Sequence, residues 1–147
     1  MPKYWIAQIL GGLSAFALTH FFKGTVLHIQ PGQGVTFVQA LTMEVLLAFV
    51  LAFVVLVVMT WDKFRAHDVF GFAIGFTILA LAFLGSPVSG GLFNPAIALG
   101  SALFGLTQQA LLISWEHVGM YVGGALLGGI LAAYAFKYLI LDEDLFA

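Results

Sequence analysis

The chain has 147 residues, of which 62% are hydrophobic and 8% charged, with a mean hydropathy of +1.08; ordinary soluble domains carry about 25% charged residues. These values exclude a soluble globular domain and imply an integral membrane protein. A formal net charge of -2, thinly spread, leaves no basic patch for nucleic acid, and the absence of cysteine removes disulfide and thiol chemistry, so packing must hold the chain together.

Four apolar runs are long enough to cross a bilayer as helices, which takes about 17 to 25 mainly apolar residues. They are residues 4–22, 38–60, 66–84 and 117–141. The first is preceded only by Lys3 and has the outline of a signal peptide. Gln8 inside it, and the lack of an A-x-A-like site before Phe21, Phe22 and Lys23, favour a retained span instead. Residues 23–39 form the one long polar stretch, a loop in which Gln30-Pro31-Gly32-Gln33-Gly34 is turn chemistry. Residues 61–68 carry Asp62, Lys63, Arg65 and Asp68, a charged turn at a water interface anchored by Trp61. The acidic tail, residues 142–147, reads as frayed. Aligning Tyr4 on Tyr121 also sets Leu10 on Leu127, Gly11-Gly12 on Gly128-Gly129 and Ala15 on Ala132, so the first and last spans read as copies.

The third span runs into a second apolar piece broken only by Gly85-Ser86-Pro87 and Ser89-Gly90-Gly91 before Asn94. Asn94-Pro95 is a helix start: Asn is a strong N-cap, and Pro suits the first helical position because its missing N–H costs nothing there. A helix over residues 95–106 rises only about 18 Å at 1.5 Å per residue, against a hydrocarbon core of about 30 Å. It cannot span. Residues 85–106 therefore read as a loop that re-enters the membrane and a half-helix that returns from the midplane. Irregular backbone at that depth is tolerated only where it lines a water-filled cavity or is buried in protein, so the loop points to a polar path. With four spans and a re-entrant loop, both termini and the 61–68 turn share one face. Lys3, Lys63, Arg65 and Lys137 fall there and Lys23 opposite, which places the termini in the cytoplasm.

In order along the chain, these residues resemble the aquaporins and aquaglyceroporins, the major intrinsic proteins. Tyr4-Trp5-Ile6-Ala7-Gln8-Ile9-Leu10-Gly11 is similar to that family's third span, Glu44 with its surroundings to the fourth and Phe72-Ala73-Ile74-Gly75-Phe76 to the fifth. Residues 89–100, SGGLFNPAIALG, resemble its pore loop and half-helix, and residues 115–134 its sixth span. The resemblance implies an all-α integral membrane fold with four transmembrane helices and one re-entrant half-helix, a partial, half-pore version of the family fold. The family's first two spans and first Asn-Pro-Ala loop have no counterpart in this sequence. Ile97 stands where the family's second half usually has a filter Arg, and Ala82 where water-specific members have His, which implies a wider and less polar constriction. For Glu44 the resemblance implies a structural use, accepting backbone N–H groups of the pore loop.

The chemistry expected of such a site is passive. The half-helix presents its positive dipole end and unpaired N–H groups at the midplane, which repels cations and hydronium. Asn94 can cap with its oxygen while its amide donates to a passing water or alcohol, and the carbonyls of Gly90, Gly91 and Leu92 accept from the same file of molecules. The expected function is a cofactor-free channel subunit for water or small neutral solutes such as glycerol, completed by a second half from another chain or an inverted copy. Pore residues are Asn94, Pro95, Ala96, Ile97, Ala82, Gly90, Gly91 and Leu92, supported by Glu44. Alternatives are a non-conducting family member with an assembly or regulatory role, and a secondary transporter in which Glu44 couples protons. His20, His28, His67 and His117 lack metal-ligand spacing and read as interfacial. No Ser-His-Asp set, phosphate loop or metal motif argues for an enzyme. The pairs Gly71/Gly75, Gly119/Gly123, Gly124/Gly128 and Ala96/Gly100 are expected to pack helices.

Overall fold

The structure, a computed structural model, describes residues 2–61, 68–109 and 112–141. Among the described residues the chain is all-α. Helix α1 is Pro2–Lys23, α2 Phe37–Thr60, α3 Phe70–Gly85, α4 Pro95–Thr107 and α5 Trp115–Phe136, continued by a π-helical turn Lys137–Leu141. Helices α1, α2 and α5 with its extension are long and apolar enough to cross a membrane, whereas α3 and α4, at 16 and 13 residues, are shorter apolar helices.

Local chemistry explains where the helices begin. Helix α2 starts inside the stretch read as loop because Thr36 and Gln39 form a capping box: the Thr36 hydroxyl accepts the Gln39 N–H, and the Gln39 side-chain oxygen accepts the Thr36 N–H at 2.8 Å. Helix α5 starts at Trp115, two residues before the span expected from hydropathy, since Ser114 caps it by accepting the His117 N–H at 3.1 Å. Asp62, Lys63, Arg65 and His67, the expected start of the third span at residue 66, and the tail 142–147 lie outside the described residues.

Helix α2 packs most extensively on α5, and small residues make that approach possible. A Cβ added to Gly128 would lie 2.8 Å from both the Ala48 Cβ and the Phe49 nitrogen, and one on Gly124 would lie 3.0 Å from the Glu44 Cβ. The second close crossing is α1 on α4, where a Cβ on Gly100 would stand 2.7 Å from the backbone of Gly12 and Leu13. Phe16 and Phe104 stack beside it with ring centroids 6.4 Å apart. Among the described residues α1 touches no helix but α4, and α3 none but α2, so both are peripheral. Gly71/Gly75 and Gly119/Gly123 have no atom of the described residues within 4 Å of an added Cβ, and so pack against none of them. They look outward from α3 and from the far side of α5. The largest fully buried side chains include Tyr121, Glu44, Ser89 and Ser101 with Leu47 and Leu112, so the centre of this apolar molecule is partly polar.

The α2–α5 contact yields a paired prediction. Gly128→Ala should lower stability by about 1–3 kcal/mol through overpacking, whereas Gly123→Ala should be neutral or raise it by up to about 1 kcal/mol through helix propensity. Thermal unfolding of the two variants in detergent checks the difference.

Candidate functional site

The site is the segment between α3 and α4. Helix α3 ends because Ser86-Pro87 cannot continue it: Ser86 N–H still reaches the Ala82 carbonyl at 3.0 Å, and Pro87 has no N–H to give. The N–H groups of Val88, Ser89 and Gly90 then converge on the Gly85 carbonyl at 3.0, 2.9 and 3.2 Å. The chain turns sharply at Gly90 and Gly91, with φ of 94° and 63°, a region where any Cβ is strained. Phe93 follows at φ 32°, an unfavourable value for an aromatic residue. Asn94 is extended and its Oδ1 accepts the Ala96 N–H at 2.9 Å, with Pro95 at the first helical position.

One carboxylate holds this irregular backbone. Glu44, on the face of α2 that meets α5, is completely buried. Its Oε1 accepts from the Ser89 hydroxyl at 2.6 Å and the Leu92 N–H at 3.1 Å, and its Oε2 accepts from the Phe93 N–H at 2.6 Å. All three partners are neutral donors, and charge-assisted bonds of this kind are roughly twice as strong as neutral ones. The Ser89 oxygen in turn accepts the Gly91 N–H at 3.2 Å. From the opposite side, the Tyr121 hydroxyl donates to the Ser89 carbonyl. The Gly32 N–H takes the Val88 carbonyl at 2.9 Å, fastening the 24–36 loop to the start of the segment.

The N–H groups of the loop are thus directed inward. Among the described residues, no donor bonds the carbonyls of Gly90, Gly91 or Leu92, nor does the Asn94 side-chain amide have an acceptor. Gly90, Gly91 and Leu92 line a groove of about 430 Å³ together with Ile97, which is 36% exposed. Pro95 and Ala96 instead line a second groove, of about 240 Å³, with Trp5, Gln8, Leu99 and Val122. Asn94 sits in sequence between the two sets, and Ala82 lines neither groove. Glu44 lies behind the loop rather than beside either space.

Three contributors escaped the sequence reading. Tyr121 carried one available clue, a phenol in an apolar helix that must find a partner when buried. His28 and Gln30 also line the larger groove, brought there because the Ile29 N–H bonds the Leu112 carbonyl at 2.8 Å. No local pattern announces that tether.

The family model described as Major intrinsic protein matches residues 1–136. The chain is 32% identical over 145 residues to "Probable aquaporin TIP3-2" of Arabidopsis thaliana, covering 95% of this chain and 51% of that protein. It is 34% identical over 144 residues to "Aquaporin NIP1-1" of Zea mays, covering 95% and 47%. The chain spans about half the length of the curated relatives it matches.

Removing the clamp should be costly. Glu44→Ala leaves the Leu92 and Phe93 N–H groups without acceptors and the Ser89 hydroxyl with only the Gly85 carbonyl at 3.5 Å, a loss of at least about 2 kcal/mol at 1–3 kcal/mol for each unsatisfied group. Glu44→Gln retains one carbonyl oxygen and should lose about half as much. Chemical denaturation in detergent, followed by tryptophan fluorescence, ranks the three proteins.

Proposed function

The chain belongs to the major intrinsic protein family, and from that premise we propose that it is one half of a passive membrane channel for water or small neutral solutes such as glycerol. The coarse part of this reading, an integral membrane protein of a channel family, stands on the family match and on helices apolar enough to cross a bilayer. The observation that carries the rest is the one-sidedness of the loop at residues 90–93. Its N–H groups turn to Gly85, Ser89 and Glu44, while Gly90, Gly91 and Leu92, whose carbonyls have no protein donor among the described residues, line the larger groove. A row of acceptors beside a helix N-terminus accepts hydrogen bonds from neutral solutes and disfavours cations.

In this reading α1, α2, α3 and α5 cross the membrane and residues 85–107 form a re-entrant loop with a half-helix. At 1.5 Å per residue α4 rises about 20 Å, roughly 10 Å short of a hydrocarbon core of about 30 Å. Protein must fill the depth below Pro95, and the groove between Trp5, Gln8, Pro95 and Ala96 is the face that would receive it. The second half comes from another chain or from an inverted copy. Termini in the cytoplasm, as Lys3 and Lys137 favour, agree better with a separate partner. Asn94, Pro95 and Ala96 form this half of the central constriction, and Ile97 and Ala82 give an outer filter wide and apolar enough for a polyol. The proton-coupled alternative is weaker, because the Glu44 oxygens are already occupied by loop donors.

Stopped-flow shrinkage of proteoliposomes tests the proposal. Vesicles holding the chain with its second half should respond to a glycerol gradient at least about tenfold faster than empty ones, with no dependence on a pH gradient. Asn94→Leu should abolish the increment while assembly persists. Rates equal to empty vesicles in an assembled complex would leave the non-conducting reading, and a pH-gradient requirement lost in Glu44→Gln would establish the transporter. A single cysteine introduced at Gln33 should label from one side only; labelling from both would favour the inverted copy.

A further inference from the structure

We propose that Tyr121 is a positioning residue of the loop: its hydroxyl holds the Ser89 carbonyl on the buried side and thereby sets the turn of the next three residues, which line the groove. The consequence for flux rests on the half-channel reading; the positioning itself does not.

The loop is held from two helices that share no sequence neighbourhood. Glu44 on α2 takes its N–H groups, and Tyr121 on α5, itself fully buried, takes a carbonyl. The Ser89–Gly90 peptide is bonded at both ends, its carbonyl to Tyr121 and its N–H to the Gly85 carbonyl at 3.2 Å. That peptide cannot rotate without losing both bonds. The residues after it, Gly90 and Gly91, have left-handed φ values and no side chain to fix them, so the orientation they inherit is set by the peptide before. The Tyr121 oxygen also stands 3.3 Å from where a Gly90 Cβ would be, close enough to confine the backbone sterically. On its other side the Tyr121 ring meets His117 edge-on, with centroids 6.5 Å apart, a contact that Phe would keep. Tyr121→Phe therefore removes one donor and little packing, leaving a buried carbonyl that gains by turning toward water.

Hydrogen exchange of the full chain in lipid nanodiscs, read by mass spectrometry, tests this directly. In Tyr121→Phe the amides of residues 90–93 should exchange roughly five- to tenfold faster, the population shift expected for one lost net hydrogen bond, while α2 and α5 exchange as before. Unchanged exchange at residues 90–93, or equal acceleration throughout α2 and α5, overturns the proposal, the latter because it marks a packing role alone. A second measurement needs no variant that must fold: with serine carbonyls labelled with carbon-13 and tyrosine replaced by 3-fluorotyrosine, which strengthens the donor, only the Ser89 resonance should move. Movement at Ser14, Ser86, Ser101 or Ser114 in its place contradicts it. In assembled channels Tyr121→Phe should change the glycerol-to-water permeability ratio at least about twofold with the amount of assembled protein unchanged. A wild-type complex without flux that still shows the exchange pattern removes the channel reading and retains the positioning of the loop by Tyr121.

Discussion

Backbone without regular structure in an apolar surrounding must have every N–H and C=O answered, and in this chain one carbonyl, that of Gly85, and one carboxylate, that of Glu44, each answer three donors between α3 and α4. Glu44 accepts from Ser89, Leu92 and Phe93. Without those bonds two N–H groups of the loop would lack acceptors, each at a penalty of about 1–3 kcal/mol. The strained Phe93 conformation persists because its N–H is held on the carboxylate. The same bonds decide direction: once the donors face α2, the carbonyls of Gly90, Gly91 and Leu92 are left for the groove.

The helix packing serves that arrangement. Glu44 can sit on the α2–α5 seam only because Gly124 opposite has no side chain, a Cβ there coming within 3.0 Å of the Glu44 Cβ. Gly128, one turn on, keeps the two helices close enough for Tyr121, also on α5, to reach the loop from the far side. At the other crossing, Gly12 and Gly100 let α1 lie directly against α4 and brace its first turns. Elements at the edge, α1 and α3, have one helical neighbour each among the described residues.

Much of this was legible in the sequence because the signals are local. Asn94-Pro95 announces a helix start by cap chemistry alone, and α4 begins at Pro95. The apolar runs give the long helices to within a few residues, and a carboxylate in an apolar run is conspicuous. What was not legible depends on contacts between distant residues. Tyr121 meets Ser89 across 32 positions, and no periodicity reveals that pairing. His28 and Gln30 reach the larger groove because Ile29 is tethered to Leu112. The small-residue pairs show the limit from the other direction: four have the same spacing, yet Gly124/Gly128 and Ala96/Gly100 are packed while Gly71/Gly75 and Gly119/Gly123 are not. Spacing marks where a helix could approach and is silent on whether one does. The Thr36–Gln39 capping box starts α2 inside a polar stretch whose composition alone reads as loop.

The central claim is that the loop is polarised, donors inward and acceptors toward water. Water-edited solid-state NMR of the carbon-13-labelled chain assembled with its second half in bilayers measures this residue by residue. The account predicts rapid polarisation transfer from water to the carbonyls of Gly90, Gly91 and Leu92 and little to those of Val88 and Ser89, which are bonded to Gly32 and Tyr121. Equal transfer to all five carbonyls, or stronger transfer to Ser89 than to Gly91, would contradict it.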